Sequence, residues 1–182
     1  MFGVERDMTT TIPKIITQRL TLTACPLQVA RAANGGKRQI ETLIGAHVDK
    51  RWLDDDGRGL LSYYDYQLRE DPSMLGWGLW LIKHTTERVV FGSAGFKGKP
   101  NRDGAVELGY GISPNYRLRG YTFEAAQALV DWAFAHPEVE HINAECLPDN
   151  TGSTRILEKL GMTRLGFLGG YIKWTMTRPA SP

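Results

Sequence analysis

Residues 115–125 (NYRLRGYTFEA) place two arginines and a glycine directly before an apolar helical pattern. The first amides of an α-helix have no acceptor within the helix, and the helix dipole favours negative charge at that end. Arg117 and Arg119 would add positive charge there, and Gly120 would give the backbone room to approach a ligand. The pattern therefore indicates an anion site, and the alternative is an ordinary solvated surface turn.

A second group of polar side chains stands in residues 147–153 (LPDNTGS), after a segment with strand character. Asn150 and Thr151 are of the types that cap a helix, and Ser153 lies in the first turn of the helix that would follow. Capping and ligand contact are both open for Asn150 and Ser153, and one does not exclude the other. We call this segment the serine loop, and residues 113–120 the arginine loop.

The elements around the two loops predict that the loops meet. Residues 105–112 and 141–146 have strand patterns, and residues 121–135 between them form an amphipathic helical pattern. Such a crossover usually joins parallel strands, and ligands bind where the loops leave the carboxyl ends of those strands. The arginine loop and the serine loop both follow such ends, so we expect them to line one cleft.

The first strand of this crossover carries an acid and two glycines. Gly109 and Gly111 weaken a strand unless a bulge or a close backbone approach requires them. We predict a bulge in this strand that parts the two parallel strands and frees backbone groups for an extended ligand; the alternative is that the glycines relieve packing. Glu107 is the candidate general base, and a structural or surface carboxylate is the alternative for it.

The rest of the chain predicts one α+β domain with a central mixed, mostly antiparallel sheet, a splayed parallel strand pair and flanking helices. Short polar connections between residues 76 and 112 favour an antiparallel meander there. Gly35 and Gly36 interrupt a helical region between 26 and 48, and residues 1–14 are expected to be a flexible N-terminal extension. The further strand patterns are 19–23, 76–82, 89–96, 166 onward and 171–177, and the further helical patterns are 60–70 and 153–160.

Two features before the crossover could face a substrate. Asp54, Asp55 and Asp56 precede a helical pattern, where acidic side chains complement the helix dipole, and a site for a cationic substrate is the alternative. Six aromatic residues cluster in the same half; core packing explains most of them, and one or two could line a substrate entrance. These residues are Trp52, Tyr63, Tyr64, Tyr66, Trp77 and Trp80.

Composition narrows the class of protein. The 182 residues fit one domain, and contents of 42% hydrophobic and 23% charged residues are ordinary for a soluble globular protein. A formal net charge of +2 provides no broad basic field, so no nucleic-acid partner is expected. Cys25 and Cys146 lie far apart without metal-ligand spacing, which favours a reducing compartment and no metal. Because neither a secretory signal nor a membrane span is expected, we predict a cytoplasmic protein without a membrane partner.

Both loops resemble signatures of one family, the GNAT superfamily of N-acetyltransferases. Residues 117–122 (RLRGYT) are similar to its acetyl-CoA pyrophosphate loop, Q/R-x-x-G-x-G/A. Residues 150–153 (NTGS) and 158–162 (EKLGM) resemble the second signature of its ribosomal-protein N-terminal acetyltransferase (RimJ/RimL-like) branch, N-x-x-S followed by E-K-L-G-F. The segments RLTLT and ELGYGI match the same branch, and the likeness extends from Arg19 to the last strand. One motif alone is weakly specific, but both in order on the predicted elements make a strong signal.

The resemblance implies transfer of an acetyl group from acetyl-CoA to a primary amine, either a protein N-terminus or a small molecule. Backbone amides of residues 117–122 would hold the pyrophosphate, and an amide within residues 111–113 would polarise the thioester carbonyl. Ser153 would meet the cofactor sulfur and protonate it as it leaves, and Asn150 would bond the pantetheine arm. The catalytic residues are expected to be Glu107 and Ser153, and the cofactor-binding ones Ile112, Ser113, Arg117, Leu118, Arg119, Gly120, Tyr121, Thr122, Asn150, Ser153, Arg155 and Lys159.

Two positions depart from the pattern of the family. Leu118 stands where glycine is common, and its amide would still face a phosphate if its φ is negative. Thr122 stands where the family usually has glycine or alanine. Its bulk would lie where pantetheine should pass, and its hydroxyl could instead bond the cofactor. The two departures bear on cofactor affinity more than on the fold.

A non-catalytic acyl-CoA-binding or sensor module on the same fold is the alternative function. Glu107 and Ser153 favour chemistry, because a pure binder has no need of both. A nucleotide-binding protein is disfavoured, because the chain has no G-x-x-x-x-G-K-[ST] run. An α-amine, with a pKa of roughly 8 against about 10.4 for lysine, needs less help to lose its proton. Protein N-termini, polyamines, amino acids and aminoglycosides all stay open as acceptors, and the assembly is either a monomer or a homodimer.

Overall fold

A computed structural model describes residues 11–179, which form an α+β fold with one mixed sheet. The strands are β1 (Lys14–Ile16), β2 (Leu20–Ala24), β3 (His47–Val48), β4 (Leu79–His84), β5 (Val89–Phe96), β6 (Ala105–Ile112), β7 (His141–Cys146), β8 (Thr163–Leu168) and β9 (Tyr171–Thr177). The α-helices are α1 (Leu27–Arg31), α2 (Lys37–Ile44), α3 (Asp55–Glu70), α4 (Tyr121–Phe134) and α5 (Thr151–Lys159). No helix within this range is long and apolar enough to cross a bilayer.

The strands lie in the order β1-β2-β4-β5-β6-β7-β9-β8, and the two-residue β3 pairs with β5 beside this path. Neighbours along the path are antiparallel except β6 and β7, which run parallel and are joined by α4. The short β3 is also parallel to β5. The predicted meander of β4, β5 and β6, the parallel crossover pair and the mixed, mostly antiparallel sheet are therefore confirmed.

The parallel strands β6 and β7 separate halfway along β6. Their pairing runs from Ala105 opposite His141 to Leu108 opposite Ala144, although β6 continues to Ile112. Over its second half β6 stays paired with β5, and the register between these two strands does not shift. The predicted bulge in β6 is therefore wrong. The gap opens because β6 follows β5 while β7 follows β9.

Two hydrophobic cores lie on opposite faces of the sheet. On one face α4 buries Ala125, Leu129 and Ala133 against strands that include β5 and β6. On the other face α3 buries Leu61 and Tyr64 against β4 and β5. The strands on either side of the gap, β6 and β7, contribute buried residues to the core beside α4, whereas the core beside α3 is built on β3, β4 and β5.

Local signals in the sequence set several helix ends. Asn150 caps α5 by accepting a 3.0 Å hydrogen bond from the Ser153 amide, and Gly161 follows the helix with φ of +82°. Asp54 caps α3 by accepting a 3.1 Å hydrogen bond from the Gly57 amide. The predicted caps of α5 and the helix start at the aspartate trio are confirmed, because each depends on a side chain within three residues of the amide that it binds.

Three boundaries differ from the sequence-based prediction. β4 begins at Leu79 rather than at 76, because Gly76 turns the chain with φ of +95° and its carbonyl accepts a hydrogen bond from Trp80 Nε1. β8 begins at Thr163, before the predicted position. The short strands β1 and β3 have no counterpart in the prediction, and Lys14 opens β1, so a flexible extension cannot reach residue 14. Residues 1–10 of that predicted extension lie outside the described residues.

Candidate active site

The arginine loop ends in a backbone turn that opens the start of α4. Gly120 adopts the left-handed conformation, with φ of +79°, and among residues 11–179 no side chain caps the helix there. The first amides of α4 therefore keep their hydrogen-bonding capacity for a ligand. Arg117 and Arg119 are exposed beside this turn. Free amides and two cationic side chains give this turn the properties of an anion site.

Leu118 also has a left-handed backbone, with φ of +61°, and its side chain is fully exposed. The condition under which its amide would face a phosphate, a negative φ, is therefore not met. A left-handed conformation strains a leucine by about 1–2 kcal/mol, because its Cβ crowds the following carbonyl oxygen. The same conformation explains why glycine suits this position.

The two residues that open α4 differ in their surroundings. The Tyr121 side chain is buried, and its ring centroid lies 5.4 Å from those of His84 and Phe91. Tyr121 therefore anchors the loop with its ring and leaves only its backbone for a ligand. Thr122 is half-buried at the second helical position, so a threonine is accommodated here without disturbing the start of the helix.

The backbone of β6 presents free polar groups to the gap between β6 and β7. The Ser113 amide donates to the Phe91 carbonyl at 2.7 Å, which extends the unshifted register between β5 and β6. Hydrogen-bonded residues alternate in an antiparallel pair, so Gly111 also bonds to β5. Tyr110 and Ile112 consequently turn their amides and carbonyls towards the gap, where the Ile112 carbonyl accepts a 3.4 Å hydrogen bond from Arg117 Nε.

Ser113 is committed to contacts within the protein. It is 1% exposed, and its hydroxyl donates to Asp49 Oδ1 at 2.6 Å. Since its amide is bound to Phe91, neither of its donors is available to a ligand. The free amide that was expected within residues 111–113 is that of Ile112.

Open space lies beside both glycines of β6. A Cβ atom added to Gly109 or Gly111 would meet no atom of the described chain within 4 Å. Neither glycine is among the residues with positive φ in this range. Packing and backbone conformation therefore do not require glycine here, and the alternative that the glycines relieve packing is wrong. Their absent side chains leave room in the larger cavity, which both glycines line.

Tyr110, which sequence reasoning did not single out, links β6 to the serine loop. Its hydroxyl donates to the Ser153 carbonyl at 3.4 Å, and burial raises the pKa of Tyr110 to about 12. The side-chain oxygen of Asn150 accepts a hydrogen bond from the Ser153 amide. The side-chain NH₂ group of Asn150 is left for another partner. The structure thus brings Asn150 and Ser153 to the gap, as predicted.

Glu107 forms an ion pair with Lys97, the residue after β5. Lys97 also contacts Glu145 at 2.9 Å, and Glu145 pairs in turn with Lys173. Burial acts to lower the pKa of Lys97, but hydrogen bonds and charge from the two glutamates outweigh it and raise that pKa. Hydrogen bonds from Lys173 and Lys97 lower the pKa of Glu145. Sequence reasoning missed Lys97, although the register of the predicted meander places it opposite Glu107.

Two cavities meet at the gap. The smaller, of about 250 Å³, lies beside the serine loop and is lined by Asn150 and Ser153 among others. The larger, of about 1020 Å³, lies between α3 and the sheet. Lys97, Gly109 and Tyr110 line both cavities. Two ligands, one in each cavity, would therefore meet at the second half of β6.

Comparison with known proteins identifies this arrangement. A family model for the GNAT acetyltransferase domain matches residues 45–163. The chain is 32% identical over 145 residues to the uncharacterized N-acetyltransferase YjdG of Bacillus subtilis, which covers 80% of this chain and 86% of that protein. The chain belongs to the GNAT acetyltransferase family. It is therefore an acyltransferase, and its α+β domain is the GNAT domain.

Solved structures share this GNAT fold. A ribosomal-protein-S5-alanine acetyltransferase from Vibrio fischeri aligns with a TM-score of 0.67 and 17% identity over 93% of this chain and 100% of that one. The microcin C7 self-immunity acetyltransferase MccE, solved with acetyl-CoA and AMP, aligns with a TM-score of 0.61 and 15% identity over 88% and 93%. The predicted GNAT fold is confirmed.

Two predicted cofactor contacts of the GNAT domain lie on α5, outside both cavities. Arg155 is exposed and does not line the gap. Lys159 Nζ lies 4.1 Å from the centroid of the Phe123 ring, in the first turn of α4. Lys159 is thus held near the anion site, and Arg155 is exposed on the same helix, where its contact with the cofactor stays a prediction.

The aromatic cluster of the GNAT domain divides into two groups. Those that line the larger cavity are Trp52, Tyr63 and Tyr64. Trp77 and Trp80 pack instead in the core beside α4, and Tyr66 is exposed. Asp54 and Asp56 also line the larger cavity, so the start of α3 contributes to a cavity wall as well as capping the helix.

Proposed function

We propose that this GNAT protein transfers the acetyl group of acetyl-CoA to an α-amine. The observation that carries the proposal is the second half of β6, where two cavities meet at a gap. The amide and carbonyl of Tyr110 and the amide of Ile112 are free there, and the space beside Gly109 and Gly111 is open. This space suits a narrow, extended thioester arm, because neither glycine has a side chain that would obstruct it.

Each part of acetyl-CoA has residues suited to it. The cofactor supplies an acetyl group that is already activated as a thioester. Arg117, Arg119 and the first amides of α4 would hold its phosphates. Backbone groups of Tyr110 and Ile112 would hold the pantetheine arm, with the Asn150 side-chain NH₂ group on the opposite wall. The Ile112 amide is the donor suited to the carbonyl oxygen as negative charge develops there.

Two side chains would transfer protons in this proposal. Glu107 would accept the proton of the amine through a water molecule, and Ser153 would donate its hydroxyl proton to the leaving sulfur and regain a proton from water. The Glu107 carboxylate already faces the Lys97 ammonium group, so a second strongly basic cation beside it is unfavourable. An α-amine, with a pKa of roughly 8 against about 10.4 for lysine, has a much larger neutral fraction near neutral pH and needs less help to lose its proton. This difference supports an α-amine as the acceptor.

The charges that line the larger cavity are close to balance. Of its four cationic residues, Lys97 is already paired with Glu107 and Glu145, and Arg117 would hold a phosphate of the cofactor. Lys50 and Arg51 remain with Asp54 and Asp56, so among residues 11–179 the lining offers no cluster of unpaired carboxylates to a polyamine or an aminoglycoside. The aromatic wall formed by Trp52, Tyr63 and Tyr64 suits an amine with an apolar neighbouring group.

We infer that the acceptor is a protein N-terminus, as in the RimJ/RimL-like branch. The likeness of both loop motifs to that branch supports this, as does a structural neighbour named for acetylation of a ribosomal protein. Relatives that are named N-acetyltransferases favour the enzyme over a non-catalytic acyl-CoA-binding module. We further propose that the protein acts in the cytoplasm as a monomer or homodimer; the free, buried Cys25 and Cys146 are compatible with a reducing compartment.

The proposal is tested by measuring release of the CoA thiol from acetyl-CoA with a panel of amines. The panel comprises a peptide with a free N-terminus, the same peptide with a blocked N-terminus and an internal lysine, spermidine and an aminoglycoside. We expect release with the free α-amine and little with the other three. A reaction confined to spermidine or the aminoglycoside would overturn the acceptor, and absence of both CoA binding and thiol release would overturn the whole proposal.

A further inference from the structure

Arg19, which directly precedes β2, reaches the arginine loop, 100 residues further along the chain. Its Nη1 donates to the carbonyl oxygen of Arg119 at 2.9 Å, and its Nε donates to Glu124 Oε2 at 2.7 Å. The guanidinium carbon lies 4.5 Å from the centroid of the buried Tyr121 ring. One side chain thus contacts the end of the arginine loop and the first turn of α4.

Glu124 holds Arg19 in this position. Its carboxylate accepts hydrogen bonds from the Thr17 hydroxyl at 2.6 Å and from the Arg19 amide at 2.8 Å, besides those from the guanidinium. Burial acts to raise the pKa of Glu124, but the hydrogen bonds from Thr17 and Arg19 outweigh it and hold that pKa below its ordinary value. Glu124 therefore stays ionised at neutral pH, and the arginine is held by charge as well as by geometry.

The contact with the Arg119 carbonyl sets the direction of the next amide. In a trans peptide unit the C=O and N–H groups point in opposite directions. Because the Arg119 carbonyl turns towards Arg19, the Gly120 N–H turns away from Arg19. The left-handed φ of Gly120 then leads directly into α4. We propose that Arg19 is a positioning residue of the cofactor site, which aims the Gly120 amide at a phosphate group of the cofactor.

An arginine is suited to this task for two reasons. Its planar fork donates to Glu124 and to the Arg119 carbonyl at the same time, whereas a lysine ammonium is a single point of charge. Its charge also offsets that of Glu124, which would otherwise repel an anion at the start of α4. Arg19 Nη2 lies 3.4 Å from where a Cβ of Gly120 would stand, so the guanidinium packs directly against this turn.

This inference rests on the proposed function, because it requires that the phosphates of CoA bind at the arginine loop. The test compares CoA with S-acetylpantetheine, which has the thioester arm but lacks the nucleotide and its phosphates. We expect Arg19→Gln to raise the Kd of CoA, measured by calorimetry, by about tenfold, because a factor of that size corresponds to the loss of one charge-assisted hydrogen bond. The KM of S-acetylpantetheine should change by less than about twofold, since nothing in that donor meets the loop.

Two further variants separate positioning from general damage. Arg19→Lys keeps the charge without the fork, so we expect an intermediate Kd for CoA, and this variant carries the test if Arg19→Gln does not fold. Arg69→Gln is the matched control, because Arg69 forms a 2.9 Å ion pair with Asp65 on α3, away from the arginine loop. It should leave both CoA and S-acetylpantetheine unaffected.

The outcomes are distinguishable. Equal weakening of CoA and S-acetylpantetheine by a folded Arg19→Gln protein would mean that Arg19 only supports the fold, and unchanged CoA binding would exclude any role; either result overturns the inference alone. Failure of the parent protein to bind CoA would overturn the proposed function together with this inference.

Discussion

The two halves of β6 have the same length but different neighbours. Residues 105–108 pair with β7, and residues 109–112 pair only with β5. In the first half Val106 and Leu108 are each 3% exposed. In the second half two of the four residues are glycine, and the edge that faces the gap is free. The candidate site thus exists chiefly because no second strand pairs with residues 109–112.

This difference predicts how stability and function are divided along one strand. The closed half buries apolar side chains in the core beside α4, so its substitutions should act on the free energy of unfolding. The open half contributes space and backbone groups, so its substitutions should act on ligand binding with little effect on folding.

The largest effect is expected for Gly109→Val. Apart from its chain neighbours, a Cβ atom here would have no atom of another described residue within 4 Å, and Gly109 does not have a positive φ, but a valine side chain would enter the space where the two cavities meet. We expect acetyl transfer to fall by about 100-fold or more, because displacing a reacting group by even about 1 Å has an effect of that order. The measurement is kcat/KM with an α-amine acceptor, together with the rise in Tm caused by CoA.

Val106→Ala is the matched control in the closed half. It removes two buried methyl groups, so we expect a loss of about 2 kcal/mol in the free energy of unfolding, measured by chemical denaturation, with the Kd of CoA unchanged. If Gly109→Val destabilises the fold as much as Val106→Ala does, the proposed division along β6 is wrong.

The comparison also shows which features local sequence can predict. The crossover, the cap at Asn150 and the helix end at Gly161 were predictable, because each depends on residues close together in the chain. The gap itself was predicted with the wrong cause. The gap forms because β6 stays paired with β5 while β7, more than thirty residues further along the chain, stays paired with β9. No local glycine pattern encodes this long-range pairing.

Long-range contacts account for the remaining misses. Arg19 meets Arg119 only after the sheet has formed, and Leu118 adopts its left-handed φ although leucine disfavours it. Lys97 is an intermediate case. It lies opposite Glu107 in the register of a meander that was predicted correctly, so its ion pair could have been found by writing out that register.

The next largest effect is expected for Ser153→Ala, across the gap from the open half of β6. We expect kcat to fall by about 10- to 100-fold, a modest share of what general acid catalysis contributes, with CoA binding retained. Thr151→Ala is the control, because Thr151 is an exposed hydroxyl residue at the start of the same helix. Equal kcat values for the Ser153→Ala and Thr151→Ala proteins would assign Ser153 to a structural role.

Glu107 lies in the closed half of β6 but lines the smaller cavity, so it tests the boundary between the halves. If Glu107 accepts the proton of the amine, Glu107→Gln should lower kcat/KM most near neutral pH, where the acceptor is largely protonated. The parent-to-variant ratio should decline towards one as pH rises past the acceptor pKa of roughly 8. The measurement is that ratio from about pH 6.5 to 9.5.

The ion pair with Lys97 requires a control of its own. Glu145→Gln removes the other carboxylate partner of Lys97 without altering Glu107. If both glutamine variants show the same pH dependence, the effect comes from Lys97 and its ion pairs, and Glu107 is not the base. A flat ratio near one for Glu107→Gln leads to the same conclusion about Glu107.

The smallest effect is expected at Leu118, in the loop that follows the open half. Replacing it with glycine relieves about 1–2 kcal/mol of backbone strain, but the freer unfolded chain offsets about 0.5–1 kcal/mol of that gain. We therefore expect Leu118→Gly to raise the free energy of unfolding by about 0.5 kcal/mol, measured by chemical denaturation. The Kd of CoA should change by less than about twofold, because the Leu118 side chain is fully exposed.

Arg88→Gly is the comparison, since Arg88 has a φ of +53° in the turn between β4 and β5. That substitution also removes a 3.1 Å hydrogen bond from the Arg88 side chain to the Gly45 carbonyl, so it should raise the free energy of unfolding by less than Leu118→Gly does. Leu118→Gly could instead weaken CoA binding severalfold while Arg88→Gly does not. The strained backbone at Leu118 would then fix the arginine loop in the conformation that binds the cofactor. The part of the chain that acts on ligand binding would in that case include this loop as well as residues 109–112.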